Sequence, residues 1–280
     1  MVQGRTERLT RPIATAIGVV LALLWALAPI YWIVVTSLKT SREVYSSPPT
    51  LYPMRPTLSN FEAALFKSNF LQFVWNSAQV AIAVTLISAA IGALAAYPVA
   101  RMRFRGRSVA ARTIVTAYLL PPSLLFIPLF LVLQSLGLIN TKLGLIIAYL
   151  TFTVPFCTWM LIGYFRTIPI ELDEAAVMDG ASRYQTLTRV VLPIAIPGLA
   201  VVALFAFTHA WNEFLYALVF VHSNDTKTFT AGLTGLIMGD TFIWGQLMAS
   251  SVIAIVPILI IYIVAQRYIV EGLAAGSVKG

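Results

Sequence analysis

The stretch PIELDEAAVMDGASRYQTLTRVVLP, residues 169–193, decides the fold, because it is a polar island between two long apolar runs. It carries four of the chain's eleven acids, Glu171, Asp173, Glu174 and Asp179. Pro169 suits the first turn of a helix, where a missing N–H is no loss, and the acids that follow favour the positive N-terminal end of the helix dipole. That helix runs to about Met178. Asp179-Gly180 ends it, with the glycine free to take the left-handed position beyond the cap. Ser182-Arg183-Tyr184-Gln185 has capping-box spacing and opens a second helix, which closes at Leu192-Pro193. Within the first helix Glu171, Glu174, Ala175 and Met178 fall at i, i+3, i+4 and i+7 and share one face. Two acids, a small residue and a flexible apolar tip, with Ala175 and Ala176 permitting close backbone approach, suit docking on another protein. The same composition also suits a solvated helix resting on a bundle.

Outward from this loop the chain is nearly uncharged. Of 280 residues, 59% are hydrophobic and 11% charged, against roughly 25% charged in an ordinary soluble domain. With a mean hydropathy of +0.85, neither a plain cytosolic globule nor a disordered chain is tenable, since so apolar a chain cannot stay solvated. A spanning helix needs about 20 mostly apolar residues. Six stretches qualify, predicting spans at about 13–37, 70–100, 113–136, 143–165, 194–221 and 246–266, with the polar loop 166–193 between the fourth and fifth. The fold class is thus an all-α membrane protein, one domain over residues 1–280. Ala26-Leu27-Ala28 resembles a signal cleavage site, but the apolar run continues through Val35, so the first span reads as retained.

Lys and Arg set the orientation. Thirteen of the nineteen lie in the N-terminus, in the loops after spans two and four and in the C-terminal tail. The positive-inside rule therefore puts both termini and the 166–193 loop in the cytoplasm. The net charge of +8 reads as a topology signal, and no soluble basic domain exists to bind nucleic acid. The loop Arg101-Met102-Arg103-Phe104-Arg105-Gly106-Arg107 alternates basic and apolar residues and makes membrane lipid a partner through anionic headgroups. On the other side, Ser59-Asn60-Phe61-Glu62 predicts a short helix with Ser59 as N-cap. Pro121, Pro122 and Pro128 should kink or break span three.

The loop resembles something known. Glu174-Ala175-Ala176, three residues, Gly180, nine residues, Val190, one residue and Leu192-Pro193 follow the E-A-A-x3-G-x9-I-x-L-P pattern of membrane subunits of binding-protein-dependent ABC importers, with Val190 in place of the usual Ile. Asp179-Gly180-Ala181, Trp211-Asn212-Glu213-Phe214 and the tail from Gln266 to Gly280 resemble the carbohydrate branch, the MalG-like, maltose-type permeases. The resemblance implies a type I importer permease of a bacterial or archaeal cytoplasmic membrane. Its implied partners are a second permease subunit, two ATP-binding subunits carrying Mg-ATP, and an extracytoplasmic sugar-binding protein. It also makes the loop a coupling helix docked on the ATPase through Glu171, Glu174, Ala175, Ala176, Met178, Asp179, Gly180, Leu192 and Pro193, and brings the tail near the ATPase pair.

Other chemistry is sparse. No lysine follows a glycine, so the chain lacks a P-loop, and energy must come from a partner or an ion gradient. One cysteine, Cys157, and two histidines, His209 and His222, leave no metal site, no cofactor in this chain and no zinc-protease motif. Glu213 is the one charge inside a predicted span and is a functional candidate for that reason. His209 lies four residues earlier on the same face, and with Trp211 and Asn212 the group can line a polar cavity, make a structural contact, or relay protons. A secondary transporter using Glu213 and His209 is the alternative. It should show internal repeats and several intramembrane charges, and the sequence has neither.

Overall fold

The computed structural model describes residues 3–238 and 241–277, with side chains described over 15–237 and 242–266. The tail beyond Gln266 and the basic N-terminal residues Arg5, Arg8 and Arg11 lie outside the described side chains. In chain order the helices are α1 (Gln3–Ser37), α2 (Ser41–Val44), α3 (Ser59–Phe66), α4 (Phe70–Arg101), α5 (Arg107–Leu119), α6 (Pro122–Ser135) and α7 (Lys142–Phe165). There follow α8 (Glu171–Met178), α9 (Arg183–Thr186), a π turn over Leu187–Val191, α10 (Leu192–Ile194), α11 (Ile196–Asn212), α12 (Leu215–Phe220), α13 (Phe229–Gly232) and α14 (Trp244–Ser277). The only described strands are two-residue pieces, Ile237–Met238 and Thr241–Phe242, paired antiparallel.

Among the described residues, four single helices are long and apolar enough to cross a membrane: Thr15–Ser37 of α1, α4, α7, and Trp244–Gln266 of α14. The third and fifth predicted spans are not continuous. α5 and α6 meet at 94°, and the α9–α10 segment meets α11 at 82°. The first break lies at Leu120-Pro121-Pro122, where Pro121 is extended and neither proline can donate to the preceding turn. The second lies at Ala195, between Pro193 and Pro197, and Pro197 falls in the first turn of α11, where its missing N–H is no loss. Span five breaks again after Asn212, because Glu213 is extended, and six spans are counted only if each bent pair is taken as one.

The chain divides into two compact units, one from the segments up to Asn69 and Gly235–Ile255, the other from Phe70–Thr234 and the chain after Val256. In the first unit the Asn60 amide donates to the carbonyls of Ser37 (2.9 Å) and Lys39 (2.8 Å), fixing α3 to the end of α1. Glu43 accepts the Met54 N–H at 2.7 Å, which holds its carboxyl below the usual range. The predicted Ser59 cap is absent. Ser59 is the first helical residue, and its N–H donates to the Thr57 hydroxyl at 3.1 Å, so a threonine two positions earlier caps the chain's turn into α3.

In the second unit α4 packs on α7 and α11. Lipid tails give apolar helices no reason to associate, so spans pair through small residues and interhelical hydrogen bonds. Ser88, Gly92, Ala96 and Ala100 recur every four residues along α4 and are all buried. A Cβ on Gly92 would stand 3.2 Å from the Cys157 Cβ of α7, and the Ser88 and Thr153 hydroxyls are 2.7 Å apart. Toward the C-terminal end of α4 the core closes over Tyr97, Phe156, Leu161, Phe165, Ile168, Leu187, Val191 and Val202. At its N-terminal end the Asn76 amide donates to the carbonyls of Asn224 (3.1 Å) and Lys227 (2.9 Å), and the Phe229 N–H donates to the Ser77 hydroxyl at 2.9 Å.

Candidate functional site

α8 begins at Glu171. Pro169, expected inside the first turn, lies two residues before it, with Ile170 as cap, and the Pro169 carbonyl is free to accept from elsewhere. Glu171, Asp173 and Glu174 occupy the first turn, where the helix dipole favours negative charge. The helix ends in a full Schellman motif: the Gly180 N–H donates to Val177 at 3.0 Å and the Ala181 N–H to Ala176 at 2.9 Å. That geometry needs φ of +81° at Gly180, which L side chains oppose. Ser182 and Gln185 then form a complete capping box, with the Ser182 N–H to Gln185 Oε1 at 2.8 Å and the Gln185 N–H to Ser182 Oγ at 3.3 Å. Two short helices joined by a tight glycine turn therefore make a knuckle.

The knuckle has two chemically distinct faces. Glu171, Glu174, Ala175 and Met178 are exposed, together with Asp179 and Gly180. Met178 is 86% exposed and Tyr184, on the second helix, 66%, so an apolar tip flanked by acids is presented to the surroundings. Exposed apolar residues grouped beside charges mark an interaction surface. Ala176, which sequence reading put among the docking residues, turns inward and is 9% exposed. Leu192 is half-buried against the core and Pro193 exposed, both away from α8 at the far end of the second helix.

Asp173 is an anchoring residue that the sequence reading credited only with favouring the helix dipole. It is buried and takes the Arg101 guanidinium at 2.7 Å, with both side chains under 5% exposed. The Tyr97 hydroxyl donates to its second oxygen at 3.1 Å. Arg101, the last residue of α4, also donates to the carbonyls of Ile168 (2.6 Å) and Pro169 (2.9 Å). One planar guanidinium thus ties α4 to the backbone entering α8 and to α8 itself. The helical phase carried a signal for this: Asp173 is two residues from Glu171 and falls opposite the acidic face.

The second candidate group does not act as a pair. Among the described residues no hydrogen bond joins His209 to Glu213, because α11 stops between them. The Glu213 carboxylate instead accepts the N–H groups of Tyr216 (2.9 Å) and Ala217 (3.1 Å) and caps α12. Its carbonyl accepts the Thr230 hydroxyl at 2.7 Å. His209 lies against Phe152 and Phe205, with ring centres 4.9 and 5.5 Å away. His209, Asn212 and Glu213 still line one open cavity of about 610 Å³ with Phe205, Thr208 and Tyr262. Trp211 points the other way, 2% exposed and stacked on Phe207.

Comparisons with known proteins agree along the length of the chain. The profile of the family described as binding-protein-dependent transport system inner membrane component matches residues 88–274. The inner membrane ABC transporter permease protein YcjP of Escherichia coli K12 is 37% identical over 267 residues, covering 94% of this chain and 95% of that one. The trehalose/maltose transport system permease protein MalG of Thermococcus litoralis is 36% identical over 278 residues, covering 98% and 99%. Among solved structures, a bacterial ABC transporter involved in the import of the acidic polysaccharide alginate superimposes with a TM-score of 0.82 at 25% identity, covering 95% of this chain and 98% of that one.

Proposed function

This chain belongs to the family of binding-protein-dependent transport system inner membrane components, and from that premise we propose that it is one of two permease subunits of an ATP-driven importer for a sugar or oligosaccharide. The saccharide assignment is supported by its likeness to a trehalose/maltose permease and to an alginate importer. The knuckle at α8 is the coupling element, seated on a cytoplasmic ATPase subunit that carries the Mg-ATP chemistry. Both termini and the knuckle face the cytoplasm, in keeping with the thirteen basic residues on that side. An extracytoplasmic binding protein delivers the sugar at the opposite face.

One observation carries this reading: α8 offers Glu171, Glu174 and Met178 outward while its other face is fixed to the bundle through Asp173. A surface both exposed and rigidly mounted is what a transmitted force requires. ATP-driven closure of the ATPases moves the knuckle, and the attached helices rock the pathway from outward to inward opening. His209, Asn212 and Glu213 contribute polar lining to that pathway. No observation favours the secondary-transport alternative, since Glu213 is engaged by main-chain amides.

The Glu174→Lys variant tests the assignment. Sugar uptake should fall to background and the ATPase subunits should no longer co-purify, while the subunit remains inserted at wild-type level. Wild-type uptake in this variant would remove α8 from the coupling role.

A further inference from the structure

We propose that Arg101 and Asp173 make α8 and α4 a single lever, so that α4 rather than the chain leading out of the knuckle carries displacement from the docking surface into the bundle. The proposal rests on the reading of α8 as the ATPase-docking element and adds the residues through which force leaves it.

The covalent route out of the knuckle is poorly suited to transmit a push. After α9 the backbone passes through the π turn Leu187–Val191, the three-residue α10 and an 82° bend at Ala195 before α11 begins. Each irregularity is a joint at which an imposed movement can be absorbed by a few backbone dihedrals. The route through Arg101 meets one irregularity, Pro98 in the last turns of α4, and the helix continues through it to Arg101. The guanidinium holds three acceptors, two on successive residues of the backbone entering α8 and one on α8 itself: the Ile168 carbonyl, the Pro169 carbonyl and the Asp173 carboxylate. Tyr97, one turn back on α4, holds the same carboxylate. Three acceptors around a planar, five-donor group fix its orientation as well as its distance, which one ammonium cannot do. Arg101 Nε is buried without a partner, so the terminal nitrogens alone set this geometry.

α4 is also a suitable carrier. It runs without a break for 32 residues, about 48 Å at 1.5 Å per residue. Its far end is tied by Asn76 and Ser77 to the segment Asn224–Phe229. Thr230, the next residue, donates to the Glu213 carbonyl at the break in the fifth span. A displacement entering at Asp173 therefore arrives, through polar contacts at both ends of one helix, beside the residues lining the cavity.

The test uses the complete importer, with its second permease, ATPase subunits and binding protein, reconstituted in liposomes. The readout is the ratio of ATP hydrolysed to sugar delivered. In Asp173→Asn, which keeps the side-chain shape, and in Arg101→Lys, which keeps the charge, the ratio should rise about tenfold, a coupling change within the usual range. The ATPase subunits should still co-purify, because Glu174 and Met178 are untouched. Asp173→Glu, bulkier but charged, should recover part of the wild-type ratio. A purely structural role lowers the amount of assembled complex and leaves the ratio per complex unchanged, and an unchanged ratio in the assembled fraction overturns the proposal. Where Asp173→Asn assembles too poorly to assay, Tyr97→Phe removes a single hydrogen bond and should raise the ratio about twofold; no rise overturns it equally. The docking reading is checked separately on the wild-type complex, by crosslinking a cysteine placed at Met178 to the ATPase. No crosslink refutes docking whatever the ratios are.

Discussion

Gly180 has φ of +81° and no atom within 4 Å of where a Cβ would stand, so a substitution there is opposed by the backbone and not by crowding. A branched side chain in the left-handed region costs roughly 1–2 kcal/mol, whereas Asn visits it more readily. Gly180→Leu should therefore abolish uptake with the subunit still inserted, and Gly180→Asn should keep a substantial part of it. Uptake normalised to membrane-inserted protein decides this, and equal loss in both variants would show that the turn's conformation is not what matters. The need for glycine was legible in the sequence because Asp-Gly closes a run of helix formers and a capping box follows. The Arg101–Asp173 pair was not legible. Eight arginines lie in the loops after spans two and four, and only a three-dimensional path shows which one reaches Asp173. The capping role of Glu213 was hidden for a related reason: a face shared with His209 presumes an uninterrupted helix, whereas α11 ends before Glu213 and that residue caps the next helix.

At the scale of elements, the α4–α7 seam depends on side chains that are small. A Cβ on Gly92 already meets the Cys157 Cβ at 3.2 Å and the Thr158 nitrogen at 3.3 Å, so Gly92→Leu must push the two helices apart. Overpacking of this kind costs about 1–3 kcal/mol. Thermal unfolding of the detergent-solubilised subunit should shift down for Gly92→Leu, and Ala95→Leu, half-exposed on the same helix, should leave it nearly unchanged. An equal shift would mean that the seam is not tightly packed. The small-residue spacing at 88, 92, 96 and 100 is present in the sequence, yet an alanine-rich span hides it among equally small neighbours at 89, 90, 93 and 95. The breaks are marked more plainly, by Pro121-Pro122 at the 94° bend between α5 and α6 and by Pro193 and Pro197 on either side of the 82° bend at Ala195.

At the scale of the molecule, hydropathy identified where the chain meets lipid, and charge bias assigned a side to each loop. A cysteine placed at Met178, 86% exposed, in a chain whose native Cys157 is buried, provides the check. An impermeant thiol reagent should label it in inside-out vesicles of the isolated subunit and not in intact cells; labelling from outside would invert the topology. None of the 18-residue apolar window in α1 and only 17% of that in α14 is buried within the chain, which hydropathy alone could not show, since lipid-facing and protein-facing apolar residues have the same composition. The capping of α12 by Glu213 has a last consequence, for biogenesis. A bare carboxylate entering the bilayer is expensive, about 2.5–3.5 kcal/mol on insertion scales, and ordinarily must find a proton or a countercharge. Here two amides of its own polypeptide receive it, so the segment carries the carboxylate's hydrogen-bond partners with it before any other subunit has been made.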